Sequence, residues 1–413
     1  VGDTESLVAA VVANTRWFAP VGAIDEERVA LLRRALVVLG AGDSAAKAQI
    51  LAELALELHF AAPMEERLSL GEEAVEVARR VGEPRALLYA LVGTYYSLNH
   101  PSTLYLRGGW LDEAWVIVDG LGDPMLRYLV ASRRLLWGLE AADRDVLDEA
   151  YAVMQEEAER LTQPLVTWEF EFRGVIVAML DGDVALAEAR ATRALELGIE
   201  MDQPDAFARF GSQWVQCRLA LGDFDQIVPA VEKAYSDQPR LRAYAAVTAW
   251  AYAQVGRIDD ARRTLGRWGP DYELDWDGSW SVGESFFAQA LCDVGDRAGA
   301  AVLAERLAPY GESIATTGLS FFGIVAHHLG CLTRVSGDHE AADRHFSQAV
   351  DIARRMRAPY LLAEGLVEWA RNGVEGKESS LEHAKACLEE ARGLIDEHGY
   401  LGLGARAASF DPS

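Results

Sequence analysis

TGLSFFGIVAHHLGCLTRVSGDHEAADRHFSQAVDIARRMRAP, residues 317–359, is the stretch that decides the fold. At helical period it predicts two amphipathic helices joined by a Gly-Asp turn. Gly337 can take the left-handed backbone conformation that closes the first helix, and Asp338 can accept from the free amide groups that open the second. Ala341, Ala342, Phe346, Ala349, Val350 and Ala353 then recur at spacings of three and four as one apolar stripe. Asp343, Arg344, Gln348, Asp351, Arg354 and Arg355 take the opposite side. A helix pair with a single stripe cannot bury it alone, so neighbours must stack on both sides.

Position by position the stretch resembles the tetratricopeptide repeat. Leu329-Gly330 supplies the small residue where the first helix is crossed closely, Ala342 lets the second helix approach, and Phe346 and Ala349 fill the contact. Working outward, turn residues recur at Ala142-Asp143, Gly182-Asp183, Gly222-Asp223, Gly256-Arg257, Gly295-Asp296 and Gly337-Asp338, separated by 40, 40, 34, 39 and 42 residues. Ala187, Ala261, Ala300 and Ala342 hold the same offset after four of those turns. The expected fold is therefore all-α: a right-handed superhelical solenoid of about nine antiparallel helix pairs.

Three regions are expected along the chain. Residues 1–43 read as an N-terminal helical cap or the continuation of a larger chain, with helices over Leu7–Trp17 and Asp25–Leu39. Residues 44–398 read as the repeat array, from the pair spanning Ser44–Arg80 to a last pair joined by the turn Gly373–Lys377. Residues 399–413 read as a tail. Two connectors depart from the pattern. One is irregular and carries His100, Pro101, Tyr105 and Arg107. The other, Arg267 to Trp280, holds Trp268, Trp276, Trp280, Tyr272 and four carboxylates, a mixture that attracts cations or a partner but that also serves simply to cover an open edge between helix pairs with Trp276 and Trp280.

Composition limits the function classes. The 413 residues carry a formal charge of −25, which argues against binding nucleic acid, whose phosphates demand a basic face. Cys217, Cys292, Cys331 and Cys387 are widely spaced in apolar helical patterns, as buried free thiols of a reducing cytoplasm would be. The N-terminal stretch has no basic region before its short apolar run, and no stretch is long enough to span a membrane, so a soluble cytoplasmic location is expected.

Motifs for catalysis are missing. Gly376-Lys377 is followed by Glu378 and has Arg371 where a phosphate-binding loop needs glycine. There is no H-E-x-x-H and no G-x-S-x-G. His327 and His328 are adjacent, which on a helix turns them about 100° apart and prevents a shared metal. No catalytic residue, metal or cofactor is expected. A repeat array instead offers a concave surface lined by the first helix of each pair. The repeat register sends Arg209, Ser212, Gln216, Trp250, Ser285, Gln289, His327 and Arg334 toward it, with Trp276 and Trp280 as loop candidates; for His327 a hydrogen-bonded place between helices is the alternative.

Four passages extend the resemblance: LTQPLVTWEFEFRGVIVAMLDGDVALAEA, DAFARFGSQWVQCRLALGDFDQIVPAV, LRAYAAVTAWAYAQVGRIDDAR and LAPYGESIATTGLSFFGIVAHHLGCL. Over most of the chain they are similar to the C-terminal helical-repeat region of large actinobacterial transcriptional regulators. In those proteins a signal-transduction ATPase of the maltose-activator type precedes the repeats, sometimes behind an adenylate/guanylate cyclase domain, and a LuxR-type helix-turn-helix often lies at one end. The motifs of those attached domains are not in this sequence, so ATP hydrolysis, cyclase activity and DNA binding do not carry over. The resemblance implies a sensor that binds a small-molecule inducer or a protein partner and signals to an attached effector; a stand-alone adaptor gripping a partner's peptide is the alternative.

Overall fold

The computed structural model describes residues 2–14, 22, 24–203, 205–269, 271–376 and 381–410. Among them are 21 α-helices, consecutive ones in contact over residues 2–121 and over residues 184–408, and one two-stranded antiparallel sheet. The contacts divide the chain into two compact units, a different partition from the expected 1–43, 44–398 and 399–413. The first holds Val1–Trp137, Asp145–Val166 and Trp276–Gly278; the second holds Gly138–Arg144, Thr167–Asp275 and Ser279–Ser413.

The first unit is built on α1 (Gly2–Ala13), α2 (Glu26–Leu39), α3 (Ala45–Glu57), α4 (Met64–Val81), α5 (Pro84–Gly93), α6 (Leu104–Leu121), most of α7 (Pro124–Glu140) and α8 (Arg144–Leu161). Asp25 and Ser44 cap α2 and α3 by accepting from the amides three residues on, at 3.0 and 3.1 Å. Leu32, Ala35, Ile50 and Leu54 join α2 to α3, and Ala74, Val75, Leu88, Leu91, Trp110 and Ala114 continue the core through α6. Within it, buried Arg28 bridges Glu53 at 2.6 Å and Glu57 at 2.7 Å. The connector expected to be irregular is mostly helical: Pro101–Thr103 makes a 3₁₀ turn and α6 starts at Leu104, placing Tyr105 and Arg107 on its first turns. Trp17, the expected end of the first helix, lies outside the described residues.

The second unit runs through most of α9 (Pro164–Leu180), then α10 (Val184–Glu200), α11 (Ala206–Leu221), α12 (Phe224–Asp237), α13 (Ala243–Gln254), α14 (Ile258–Leu265), α15 (Trp280–Val294) and α16 (Arg297–Leu307). It continues through β1 (Ile314–Thr316), β2 (Phe321–Ile324), α17 (Val325–Ser336), α18 (His339–Arg355), α19 (Pro359–Glu375), α20 (Leu381–His398) and α21 (Leu401–Ala408). The expected turns are all present. Ala142, Gly182, Gly222, Gly256, Gly295 and Gly337 have positive φ, from 54° at Ala142 to 93° at Gly337. Asp183, Asp296 and Asp338 cap the helices that follow at 2.8 to 3.0 Å. Ala187, Ala261, Ala300 and Ala342 are fully buried, as crossing residues must be. At Gly330 a β-carbon would lie 2.6 Å from the Phe346 ring, so the α17–α18 crossing depends on its missing side chain.

Two expectations fail here. Residues 317–324 do not begin a helix: Phe321–Ile324 is a strand paired to Ile314–Thr316, and α17 begins at Val325. The reason is local, since Gly318 and Gly323 hold φ of 78° and 101°, values a right-handed helix excludes, and the intervening Phe321 and Phe322 favour extended backbone. The C-terminal segment is not merely a tail, for Leu401–Ala408 forms α21, which lies against α11, α19 and α20. A β-carbon on Gly222 would lie 2.7 Å from the amide nitrogen of Gly402, so α11 and α21 meet backbone to backbone.

Candidate functional site

The hairpin β1–β2 is the feature around which polar side chains of the second unit gather. Its tip is tied internally: Thr316 Oγ1 donates to the carbonyl of Ser320 at 2.8 Å and accepts from the amide of Gly318 at 2.9 Å. Helices well separated in sequence then hold it. Arg173 of α9 donates through Nη1 to the carbonyl of Gly318. Gln213 of α11 donates through Nε2 to the carbonyl of Leu319 at 3.1 Å and to that of Phe172 at 2.7 Å. The hydroxyls of Ser212 and Ser320 lie 2.5 Å apart, and Ser281 of α15 donates to the carbonyl of Thr316 at 3.3 Å. Arg173, Gln213, Ser281, Gly318 and Ser320 are all buried, so these bonds are made away from water, where an unmade one would be costly. Three of the four side chains address main-chain carbonyls; what is held is the main chain of the hairpin's turn, with little dependence on its side chains.

The eight expected surface residues divide into four groups. Ser212 contacts the hairpin tip. Arg209, Trp250 and Ser285 are core. The Arg209 guanidinium lies over Trp168 and Phe172, at 5.3 and 5.0 Å from their ring centres. Trp250, 1% exposed, is wedged between Phe224 and Phe286, and Ser285 donates back to the carbonyl of Ser281 at 2.8 Å. These three therefore line no open surface, because the repeat register rotates by a large step for each residue of error. Gln216 is buried with its Oε1 unpartnered among the described residues, and Gln289 is half-buried.

His327 and Arg334 belong to a second, ionic cluster where α17, α19 and α21 meet. Arg334 bridges Glu368 at 3.0 Å and Glu375 at 2.7 Å, and Arg406 lies 3.6 Å from the other oxygen of Glu368. Burial raises the Glu368 carboxyl, but the guanidiniums of Arg334, Arg406 and Arg371 outweigh it and hold the group below its ordinary range. Glu364, one turn earlier, has no such bridge among the described residues, and burial holds it above its ordinary range. Burial also lowers His327 and His328 to about 4, so both rings are neutral near pH 7. Neutral His328 then donates from Nε2 to the carbonyl of Phe322 at 2.9 Å, linking this cluster to the hairpin. His327 sits 3.8 Å from Cys331 one turn on and edge-on to Phe346 of α18.

The loop candidates part company. Trp280 opens α15 as a buried residue packed edge-on to Tyr310 at 5.5 Å. Trp276, 45% exposed, belongs to the first unit and stacks on His100, with ring centres 4.3 Å apart and planes 6° from parallel. There Arg67 donates to the carbonyls of Trp276 and Ser97, and His59 Nε2 accepts from the amide of Gly278 at 3.1 Å. Pro270 of this loop lies outside the described residues.

Sequence reading passed over Arg173, Gln213 and the hairpin. The signal was present: IATTGLSFFGI sets β-branched Ile314, Thr316 and Thr317 before Gly318 and Phe321-Phe322 after it, a hairpin pattern that the helical repeat register overrode. Among the described residues no group of three or more His, Cys, Asp or Glu side chains is arranged to hold a metal, and no helix is long and apolar enough to cross a membrane. The four cysteines are free thiols, and burial pushes Cys217 up to about 12 and Cys387 up to about 11. Comparison with protein-family models and with curated proteins finds no match to this chain.

Proposed function

We propose that this chain is a non-catalytic sensor and protein-interaction region of a bacterial transcriptional regulator, a right-handed superhelix of tetratricopeptide-like pairs whose inner face grips an extended peptide. The observation that carries the reading is the hairpin. Arg173, Gln213 and Ser281 donate to the main-chain carbonyls of residues 316–319, and Ser212 meets the Ser320 hydroxyl, as such a face would bind a partner's main chain. The resemblance to regulator repeats supplies the context of an attached effector. In this reading the hairpin is the resident occupant, and a partner peptide competes with it for the same donors. The resulting shift between hairpin-docked and partner-docked states is no larger than the partner's differential affinity for the two.

A labelled peptide of residues 313–325, SIATTGLSFFGIV, tests this by fluorescence anisotropy. It is expected to bind a variant in which residues 315–322 are replaced by Gly-Ser-Gly at least tenfold more tightly than it binds the unaltered chain. Arg173→Ala with Gln213→Ala in that variant is expected to abolish binding. The intact chain supplies a check that does not depend on the shortened variant folding. There, Arg173→Ala with Gln213→Ala is expected to speed hydrogen exchange selectively at residues 316–320. Unchanged exchange, or peptide binding indifferent to the two alanines, would refute the peptide-gripping face.

A further inference from the structure

A groove of about 560 Å³ opens between α12, α13 and α14, away from the hairpin contacts. It lies within the size range of small-molecule sites. Its charge runs against that of the chain. Two carboxylates, Glu232 and Asp260, face three guanidiniums, those of Arg257, Arg263 and Arg267. Both carboxylates are already engaged. Asp260 accepts from Arg257 Nε at 2.7 Å with one oxygen and from Arg263 Nη1 at 2.6 Å with the other. Glu232 Oε1 accepts from the Tyr252 hydroxyl at 2.7 Å and from Arg257 Nη1 at 3.2 Å. Arg267 is exposed and its guanidinium makes no ion pair or hydrogen bond among the described residues. One positive charge is thus left over in a protein of formal charge −25.

The arrangement around that charge is ordered. The Arg257 guanidinium lies over the Tyr252 ring, 4.1 Å from its centre, and is fixed on two further sides by Glu232 and Asp260. A guanidinium held this way presents its remaining N–H groups in a set direction and loses little freedom on binding. Arg263 is likewise held by Asp260 with its other N–H groups open, and Tyr235 contributes an aromatic wall. We infer that this groove binds a small molecule carrying one carboxylate or phosphate group on an aromatic or apolar body. The anion bridges Arg267 and Arg263, and the body lies against Tyr235. The inference stands apart from the peptide-gripping face, since it uses none of the same residues.

Phenyl phosphate, benzoate and benzylamine, titrated calorimetrically at low ionic strength, are the probes. Phenyl phosphate or benzoate is expected to bind saturably at one site, with benzylamine at least tenfold weaker. Arg267→Ala is expected to weaken the anion at least tenfold, and Glu232→Gln, which frees Arg257, to strengthen it about threefold. Both side chains stand at the groove surface, and unchanged melting temperatures would show that the variants are folded. Phenyl phosphate binding with benzoate excluded would assign a phosphate ligand; the reverse would assign a carboxylate. Absence of saturable binding by both anions, equal binding of benzylamine, or indifference to Arg267→Ala would overturn the inference.

Discussion

Replacing Phe346 by alanine is expected to lower the unfolding free energy by about 3–5 kcal/mol. The ring is fully buried where α17 crosses α18, and it fills the space above Gly330 that no side chain of α17 can enter. Its neighbours cannot close the gap, because the crossing distance is already set by backbone and ring. Ala342 and Cys331, the other buried members of the cluster, are too small to expand into it, and Cys292 and Trp369 pack at its edge. Chemical denaturation of the purified chain checks the value. Gly330→Ala is expected to destabilise as well, by about 1–3 kcal/mol from overpacking, despite the better helix propensity of alanine. A loss below about 1 kcal/mol for Phe346→Ala would mean that this ring is not the contact joining the two helices.

Arg334→Leu is expected to cost about 3–5 kcal/mol near pH 7, since it leaves the buried Glu368 carboxylate short of its nearest cation. Arg406, at 3.6 Å, offsets part of the loss. Glu368→Leu added to Arg334→Leu is expected to recover part of it, because the pair is removed together and only Arg406 loses a charged partner. The pH dependence has a definite sign. In the unaltered chain Glu368 titrates below its ordinary value, so its contribution is present at neutral pH and is lost as pH falls through the lowered value. In Arg334→Leu the carboxyl is raised by burial, the folded state takes up the proton, and the deficit shrinks as pH is lowered toward 4. Denaturation series at pH 7 and pH 4.5 measure this; a deficit independent of both pH and Glu368 would contradict the buried-pair description.

Helix placement was legible because it rests on local chemistry. A residue with positive φ, a capping aspartate and a small crossing residue each act within one or two turns, so Gly295, Asp296 and Ala300 announce their structure unaided. The contacts of the hairpin are not local. Arg173 and Gly318 are separated by 145 residues and Gln213 and Leu319 by 106, and nothing in either segment specifies the meeting. Side-chain direction was the weaker part of the surface reading. Ser212 was identified and Gln213, its neighbour, was not, although the amide of Gln213 makes the two bonds that anchor the tip. Arg209 and Trp250 look functional in sequence because polar and aromatic types are common at binding sites. In the fold the one is spread over Trp168 and Phe172 and the other is surrounded by Phe224 and Phe286. The short tail helix went unread for a related reason: LGLGARAA has two glycines and little intrinsic helicity, and it is helical through its contacts with α11, α19 and α20.

The central claim is that the chain's own hairpin is seated on the face formed by α9, α11 and α15. Pairing Ser212→Cys with Ser320→Cys tests it most directly, because the two hydroxyl oxygens are 2.5 Å apart in residues 108 positions distant. Under mild oxidation the two thiols are expected to close into a disulfide in nearly every molecule, read by peptide mapping as a cross-link between the segments containing them. Cys217, buried with its thiol held neutral, is expected to take no part. Thiols that stay free under the same oxidation, or that pair instead with Cys217, would contradict the seated hairpin and with it the peptide-gripping face.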